Sequence, residues 1–270
     1  MQVDVLTSGI WQTNSTVLSH RGTCLVVDPA YFPRELAALA ERAAELGGAT
    51  AVCFTHGHWD HVMGHTTCPA APVWMHQGLV DDIQAQGARA AKYLADAREF
   101  DSRWYVPRPA GHRWPQTLRG LADGEALELG GAPLRALHLP GHSPDGLALV
   151  AEDAGVLLCG DYLSPCEIPF VEDAPRYRAT LLRLLELLAQ TGCDVIPGHG
   201  PRLDAAGATA LARADLGYVD RLIDAAARGD HAAARDAPWP RAHEVVGMRE
   251  AHLENCKHVL AVQDDPSQAP

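Results

Sequence analysis

The chain opens on short apolar runs with the spacing of strands: Val3–Leu6, Thr16–Leu18 and Cys24–Val27, with Arg21-Gly22 as a hairpin turn between the last two. From Pro33 the period changes to that of a helix. Leu36, Leu39, Ala43 and Leu46 fall on one face, Pro33 suits a first turn and Gly47 a helix stop. Ala49–Phe54 then reads as a buried strand that delivers the chain into Thr55-His56-Gly57-His58-Trp59-Asp60-His61. Val73–His76 is a further strand, Leu79 to about Phe100 an alanine-rich helical stretch, and Trp104 to Gly120 irregular. A second β-rich half follows at Ala126–Leu129, Leu134–His138, Leu147–Ala151 and Val156–Cys159. The helix around Arg176–Gln190 and the strand Cys193–Ile196 repeat the helix-then-strand order of 33–54, again ending in a histidine-bearing turn, Pro197-Gly198-His199-Gly200. Leu216, Val219, Ile223 and Ala226 form a helix stripe, Ala237-Pro238-Trp239-Pro240 breaks it, and Arg241–Val262 reads as a final helix before a frayed tail at 263–270. The expected organisation is one domain over 1–262, with an insertion at about 79–118 and a C-terminal helical segment over 208–262.

Composition narrows the function classes. Hydrophobic residues make up 47% of the 270 and charged residues 21%, the range of a chain able to bury a core. The formal net charge of −12 disfavours nucleic acid and anionic membrane as partners, since the phosphate backbone would meet mostly repulsion. The seven cysteines are odd in number and lack paired short spacing, which reads as reduced, buried thiols. With no basic segment leading into an apolar stretch at the start, the expected location is cytoplasmic.

His56, His58, Asp60 and His61 place four ligand-type side chains within six residues. A divalent transition metal requires several deprotonated N or O donors converging on it at about 2.0–2.3 Å. In an extended turn His56 and His58 project to one side, while Asp60 and His61, entering a helix, point elsewhere. That divergence favours two adjacent metals over one.

The sequence resembles the metallo-β-lactamase superfamily, whose His-x-His-x-Asp-His signature is followed by separate His, Asp and His ligands. These are found at His142 in Leu139-Pro140-Gly141-His142-Ser143-Pro144-Asp145-Gly146, at Asp161 closing Leu157-Leu158-Cys159-Gly160-Asp161, and at His199. The resemblance spans about residues 1–200 and implies a four-layer αββα sandwich of α/β (α+β) class. It implies that His56, His58 and His142 hold one metal, that Asp60, His61 and His199 hold the other, and that Asp161 bridges them. The expected cofactor is two zinc ions per chain, with iron or manganese as alternatives. Asp28 matches an acidic residue beneath the site that orients a ligand histidine, with a turn carboxylate as the alternative.

The resulting expectation is a binuclear hydrolase in which a metal-bridging hydroxide attacks an ester, thioester or lactone of a small molecule. Asp60, Asp161 and Tyr162 are its candidate catalytic residues, Asp60 as a proton shuttle and Tyr162 as an oxyanion partner. Eighty residues separate His61 from His142, and the excess is read as a lid carrying Trp104, Tyr105 and Trp114, with a surface insertion or homodimer contact as alternatives. Leu163–Asp173 contains no Lys or Arg and carries Glu167, Glu172 and Asp173, unlike the basic loop with which hydroxyacylglutathione hydrolases of the family hold glutathione. Alternative activities are a phosphodiesterase of the same fold, a mononuclear iron persulfide dioxygenase, and non-catalytic metal binding. His65 is a candidate partner of a ligand, and His252 with Asn255 either closes over the site or packs; His76, His112 and His138 read as structural.

Overall fold

The computed structural model describes residues 1–241 and 247–264. The opening meander is β1 (Gln2–Thr7), β2 (Asn14–His20) and β3 (Thr23–Val27), antiparallel, with Arg21 and Gly22 both at positive φ, as a tight hairpin turn demands. Helix α1 (Pro33–Glu45) crosses to β4 (Ala51–Cys53), which runs parallel to β3. Its start is fixed by Pro33 and by Glu35, whose carboxylate accepts the Phe32 N–H. The short helix α2 (Trp59–Val62), a 3₁₀ turn over Met63–Thr67, β5 (Val73–His76), α3 (Gln77–Gln84), α4 (Ala88–Trp104) and β6 (Leu118–Leu121) complete a sheet ordered β1-β2-β3-β4-β5-β6.

The second sheet is a meander of β7 (Ala126–Leu129), β8 (Ala132–His138), β9 (Leu147–Ala151) and β10 (Val156–Leu158). Helix α5 (Ala174–Thr191) then leads to β11 (Asp194–Ile196), parallel to β10, in the order β11-β10-β9-β8-β7. Helices α6 (Ala205–Ala227), α7 (His231–Arg235) and α8 (Met248–Asp264) follow. No described helix is long and apolar enough to cross a membrane.

Alternation along the strands assigns side chains to layers. In β9, Leu147, Leu149 and Ala151 join Leu18, Leu25, Val27 and Leu134 between the sheets, while Ala148 and Val150 pack outward with Leu181 and Leu184 of α5 and Val219 and Leu222 of α6. On the other side Val17, Val26 and Val52 meet Leu39 of α1 and Ala97 of α4. The result is the four-layer αββα sandwich. Strands β3, β4, β9 and β10 are covered on both faces, which explains why they read as nearly unbroken apolar runs.

Several expected boundaries move. The helical stretch from Leu79 to Phe100 is two helices, broken where Asp82 accepts the Ala90 N–H beside Gly87. The segment expected to be irregular through Gly120 contains β6, an edge strand held by parallel pairing with β5 that four residues of local pattern do not reveal. Helix α6 begins at Ala205, capped by Asp204, because its alanine-rich first turns carry little apolar contrast. The final helix begins at Met248; residues 242–246 of its expected span, and 265–270 of the expected tail, lie outside the described residues.

Candidate metal centre

Four turns meet at one edge of the sandwich, each continuing from a strand end: Thr55–His61 after β4, Leu139–Gly146 after β8, the Cys159–Tyr162 turn after β10 and Pro197–Gly200 after β11. They bring all seven expected ligand residues together in two sets: His56, His58, His142 and Asp161, and Asp60, His61 and His199. In the first, His58 Nδ1 lies 3.0 Å from both His56 Nε2 and His142 Nε2, and those two nitrogens are 3.3 Å apart. In the second, His61 Nε2 lies 3.3 Å from His199 Nε2 and 3.2 Å from Asp60 Oδ2. Asp161 joins them: Oδ2 is 3.1 Å from His142 Nε2, and Oδ1 is 3.1 Å from His61 Nε2 and 3.3 Å from His199 Nε2. Gly198 permits this approach, since a Cβ there would stand 2.3 Å from Asp161 Oδ1.

The partners of the outer ring nitrogens aim the inner ones. His142 Nδ1–H donates to the Phe170 carbonyl at 3.0 Å, His199 Nδ1–H to the Trp11 carbonyl at 3.1 Å, and His61 Nδ1–H to Asp28 Oδ2 at 3.0 Å. In its neutral form each ring thereby turns an Nε2 lone pair toward the other donors. Lone pairs packed at 3.0–3.3 Å repel unless a cation lies among them. These separations are near the roughly 3.3 Å edge of a tetrahedron whose centre is about 2.0–2.1 Å from each corner. The buried Asp161 Oδ1 has no hydrogen-bond partner among the described residues, although two imidazole nitrogens approach it. The donor set therefore fits metal ions.

At the histidines burial competes with the Asp161 carboxylate. Burial, reinforced by its neighbours His56 and His142, pushes His58 well below the usual imidazole value. Burial opposes charge on His199 as well, but the Asp161 carboxylate outweighs it and lifts His199 to about 9. Burial would raise Asp161; His199 and His61 instead hold it well below the ordinary carboxylate range. Glu167, 4.0 Å from His199 Nε2, is lifted to about 7 by burial.

Asp28 stands under the site as expected and does more than orient His61. Its Oδ1 accepts the Thr55 N–H at 2.7 Å and its Oδ2 accepts the Thr55 hydroxyl at 2.6 Å. Tyr162 differs from expectation: its hydroxyl donates to the Pro140 carbonyl and accepts the His142 N–H, each at 2.9 Å, and it is buried away from the cleft. With both roles of that oxygen engaged, Tyr162 fastens the His142 turn and is not placed as an oxyanion partner. His65 donates to the Val62 carbonyl, His112 binds Asp101, His76 stacks on His138 at 4.1 Å, and His252 joins Tyr218 to the Arg235 carbonyl. Neither these four histidines nor His138 belongs to either donor set.

A cleft of about 770 Å³ opens over the donor sets between α4 and α8. Its apolar lining includes Trp11, Trp59, Phe170 and Met248, and α4 contributes Arg89, Lys92 and Tyr93. Trp104 and Tyr105 instead stand 60% and 91% exposed, and Trp114 packs by Tyr93 with its indole N–H on the Ala90 carbonyl; none of the three lines the cleft. Asn255 does line it, while holding the Val171 N–H and the Pro169 carbonyl.

Sequence reasoning missed Asp145, whose carboxylate accepts the Gly57 N–H at 2.7 Å and so pins the backbone between His56 and His58. It also missed Asn14, whose amide donates to the Pro197 and Gly200 carbonyls and secures the His199 turn to β2. These bonds span 88 and more than 180 residues of chain, so local pattern carries no signal for them.

The chain is similar to known proteins across the region that builds this site. Residues 8–200 match the family model described as the metallo-beta-lactamase superfamily. A hydroxyacylglutathione hydrolase of Methylococcus capsulatus is 30% identical over 194 residues, covering 70% of this chain and 64% of that protein. An atrochrysone carboxyl ACP thioesterase of Paecilomyces divaricatus is 29% identical over 193 residues, 70% of this chain and 50% of that protein. The match thus spans about half to two thirds of these relatives' own length. In structure, a metallo-beta-lactamase family protein of Thermus thermophilus superposes with a TM-score of 0.68 at 23% identity, covering 97% of this chain and 93% of that one. With the family model matched over most of its length and the fold shared, this chain belongs to the metallo-β-lactamase superfamily.

Proposed function

We propose that the protein is a binuclear metal-dependent hydrolase that cleaves an ester, thioester or lactone bond of a small acyl substrate. The observation that carries this reading is Asp161, whose two oxygens face two separate donor sets at the floor of the cleft. A pair of cations held there, by His56, His58, His142 and Asp161 and by Asp60, His61, His199 and Asp161, would supply acidified water and polarisation of the scissile carbonyl. Zinc suits this imidazole and carboxylate set, as do iron and manganese. Asp60 lines the cleft, and its Oδ2 lies 3.2 Å from His61 Nε2 and 3.5 Å from His199 Nε2, where it can receive the proton of water and pass it to the leaving group. Trp11, Trp59 and Phe170 keep bulk water from the scissile bond and accept an apolar acyl portion, while Arg89 and Lys92 of α4 face the rest of the substrate. Among the three bonds the thioester is favoured by the relatives, one of which is named a thioesterase.

Metal-quantified protein assayed against aryl ester, thioester, lactone, bis-aryl phosphate and persulfide tests this reading. Two metal equivalents with turnover of a carboxylic ester or thioester support it. One iron with sulfite release, or turnover confined to the phosphate diester, defeats it. Asp161→Ala should abolish turnover while leaving the circular dichroism spectrum largely intact.

A further inference from the structure

Glu167 lies in the loop between the Cys159–Tyr162 turn and α5, lines the cleft and is 7% exposed. Among the described residues no hydrogen bond reaches its carboxylate; its contact there is His199 Nε2, 4.0 Å from Oε2. That separation exceeds the 3.0–3.5 Å spacings within the donor sets, so Glu167 stands outside them. The carboxylate faces the cleft with no donor from the described residues, and a substrate that fills the cleft and displaces its water must supply one.

The loop is also held in place. Leu163 takes a positive φ of 60°, and the Ser164 carbonyl accepts from Arg241, which is itself paired with the buried Asp215. At its far end Asn255 accepts the Val171 N–H at 2.8 Å and donates to the Pro169 carbonyl at 2.6 Å, and Ile168 packs against Met248 and Ala251 of α8. Glu167 is therefore presented from a braced loop, the condition for a selective contact.

We infer that Glu167 is a specificity-determining residue that accepts a hydrogen bond from a donor, hydroxyl or ammonium, carried on the carbon next to the scissile carbonyl. This rests on the hydrolase reading for where the carbonyl lies. With the carbonyl over the donor sets, a group one bond away comes within reach of a carboxylate 4.0 Å from His199 Nε2. Substrates that present no donor there leave the carboxylate without a partner and are disfavoured.

The test uses N-acetylcysteamine thioesters of lactic acid, alanine, propionic acid and 2-methoxypropionic acid on metal-loaded protein. Wild type should favour the lactyl or the alanyl thioester over the propionyl and methoxy compounds by at least about tenfold in kcat/KM. Glu167→Ala should bring that ratio to within about threefold of unity. Glu167→Gln distinguishes the donors, since an amide retains a preference for hydroxyl and loses one for ammonium. Binding of 2-hydroxypropyl, 2-aminopropyl and propyl thioethers by calorimetry reads the same contact without turnover. A donor preference in binding that disappears in Glu167→Ala upholds the inference even if no thioester is cleaved, in which case the hydrolase reading falls. Turnover with no donor preference, or a preference that persists in Glu167→Ala, overturns the inference and leaves the hydrolase reading standing.

Discussion

Replacing Asp28 by Asn tests whether the carboxylate beneath the site aims one metal set. Asp28 accepts three hydrogen bonds, from the Thr55 N–H, the Thr55 hydroxyl and His61 Nδ1–H. An Asn side chain has one acceptor oxygen and one donor nitrogen, so if the oxygen keeps the Thr55 N–H, the amide faces the hydroxyl and the imidazole. The Thr55 hydroxyl oxygen has two lone pairs, one facing His56 Nδ1–H at 3.2 Å and one free to accept from the amide. His61 has no such exit: Nδ1 must become the acceptor, which moves its proton to Nε2, the atom aimed at Asp161, Asp60 and His199. The backbone does not confound the exchange, because Asp28 has a φ of 50° and Asn tolerates that region as well as Asp does. Loss of such an orienting partner lowers metal affinity about 10- to 100-fold, or about 1.4–2.7 kcal/mol. Competition between the metal-free protein and a chromophoric chelator measures it. Wild type should take up two equivalents, and Asp28→Asn should weaken one of them by that factor and leave the other within about threefold. Equal weakening of both, or of neither, in a variant with an unchanged circular dichroism spectrum would refute the tautomer argument.

Further outcomes follow from other contacts. Tyr162→Phe leaves the His142 N–H without its partner and should lower stability by about 1–3 kcal/mol; a loss of about 100-fold or more in kcat with no change in Tm would restore an oxyanion role to Tyr162. Asp101 is opposed by burial, but bonds from Arg108, Tyr31 and His112 outweigh that and hold it below the ordinary carboxylate range. Its contribution is therefore present above the ordinary carboxylate pKa and lost as pH falls through the lower folded value, so Asp101→Asn should flatten the acid limb of the Tm profile below about pH 4. Parallel acid limbs would contradict this. Chelation should lower the thermal midpoint and re-added zinc should raise it with the logarithm of free metal; a midpoint indifferent to metal would mean that the ions do not bind the folded chain preferentially. In Gly57→Ala a Cβ would stand 2.5 Å from the Tyr93 ring, displacing His58, and turnover of the metal-loaded protein should fall at least about tenfold.

The legibility of the site in the sequence follows the range of the interactions. The cluster His56, His58, Asp60 and His61 was legible by its close spacing, and His142, Asp161 and His199 were named through the family resemblance, each in a turn soon after an apolar strand. Helix α1 was legible as well, since its stripe, opening proline and closing glycine lie within one segment. What escaped was set by contacts distant along the chain. The use of the Tyr162 hydroxyl by Pro140 and His142, the grip of Asp145 on Gly57 and the exposure of Trp104 all depend on which turn abuts which. Glu167 was legible as an acid in a loop without basic residues, but its burial beside His199 required the fold.

Neither donor set belongs to one half of the chain. His56 and His58 come from the first sheet's side and meet His142 from the second; Asp60 and His61 likewise meet His199, and Asp161 belongs to the second. Any ion in either set is thus a clasp between two sheets that otherwise adhere mainly through apolar side chains. Parting the sheets must break both sets together, so bound metal opposes opening of the sandwich. Resistance to proteolysis, and slow amide exchange in the strands facing the interior, would then report metal occupancy as directly as an assay of turnover.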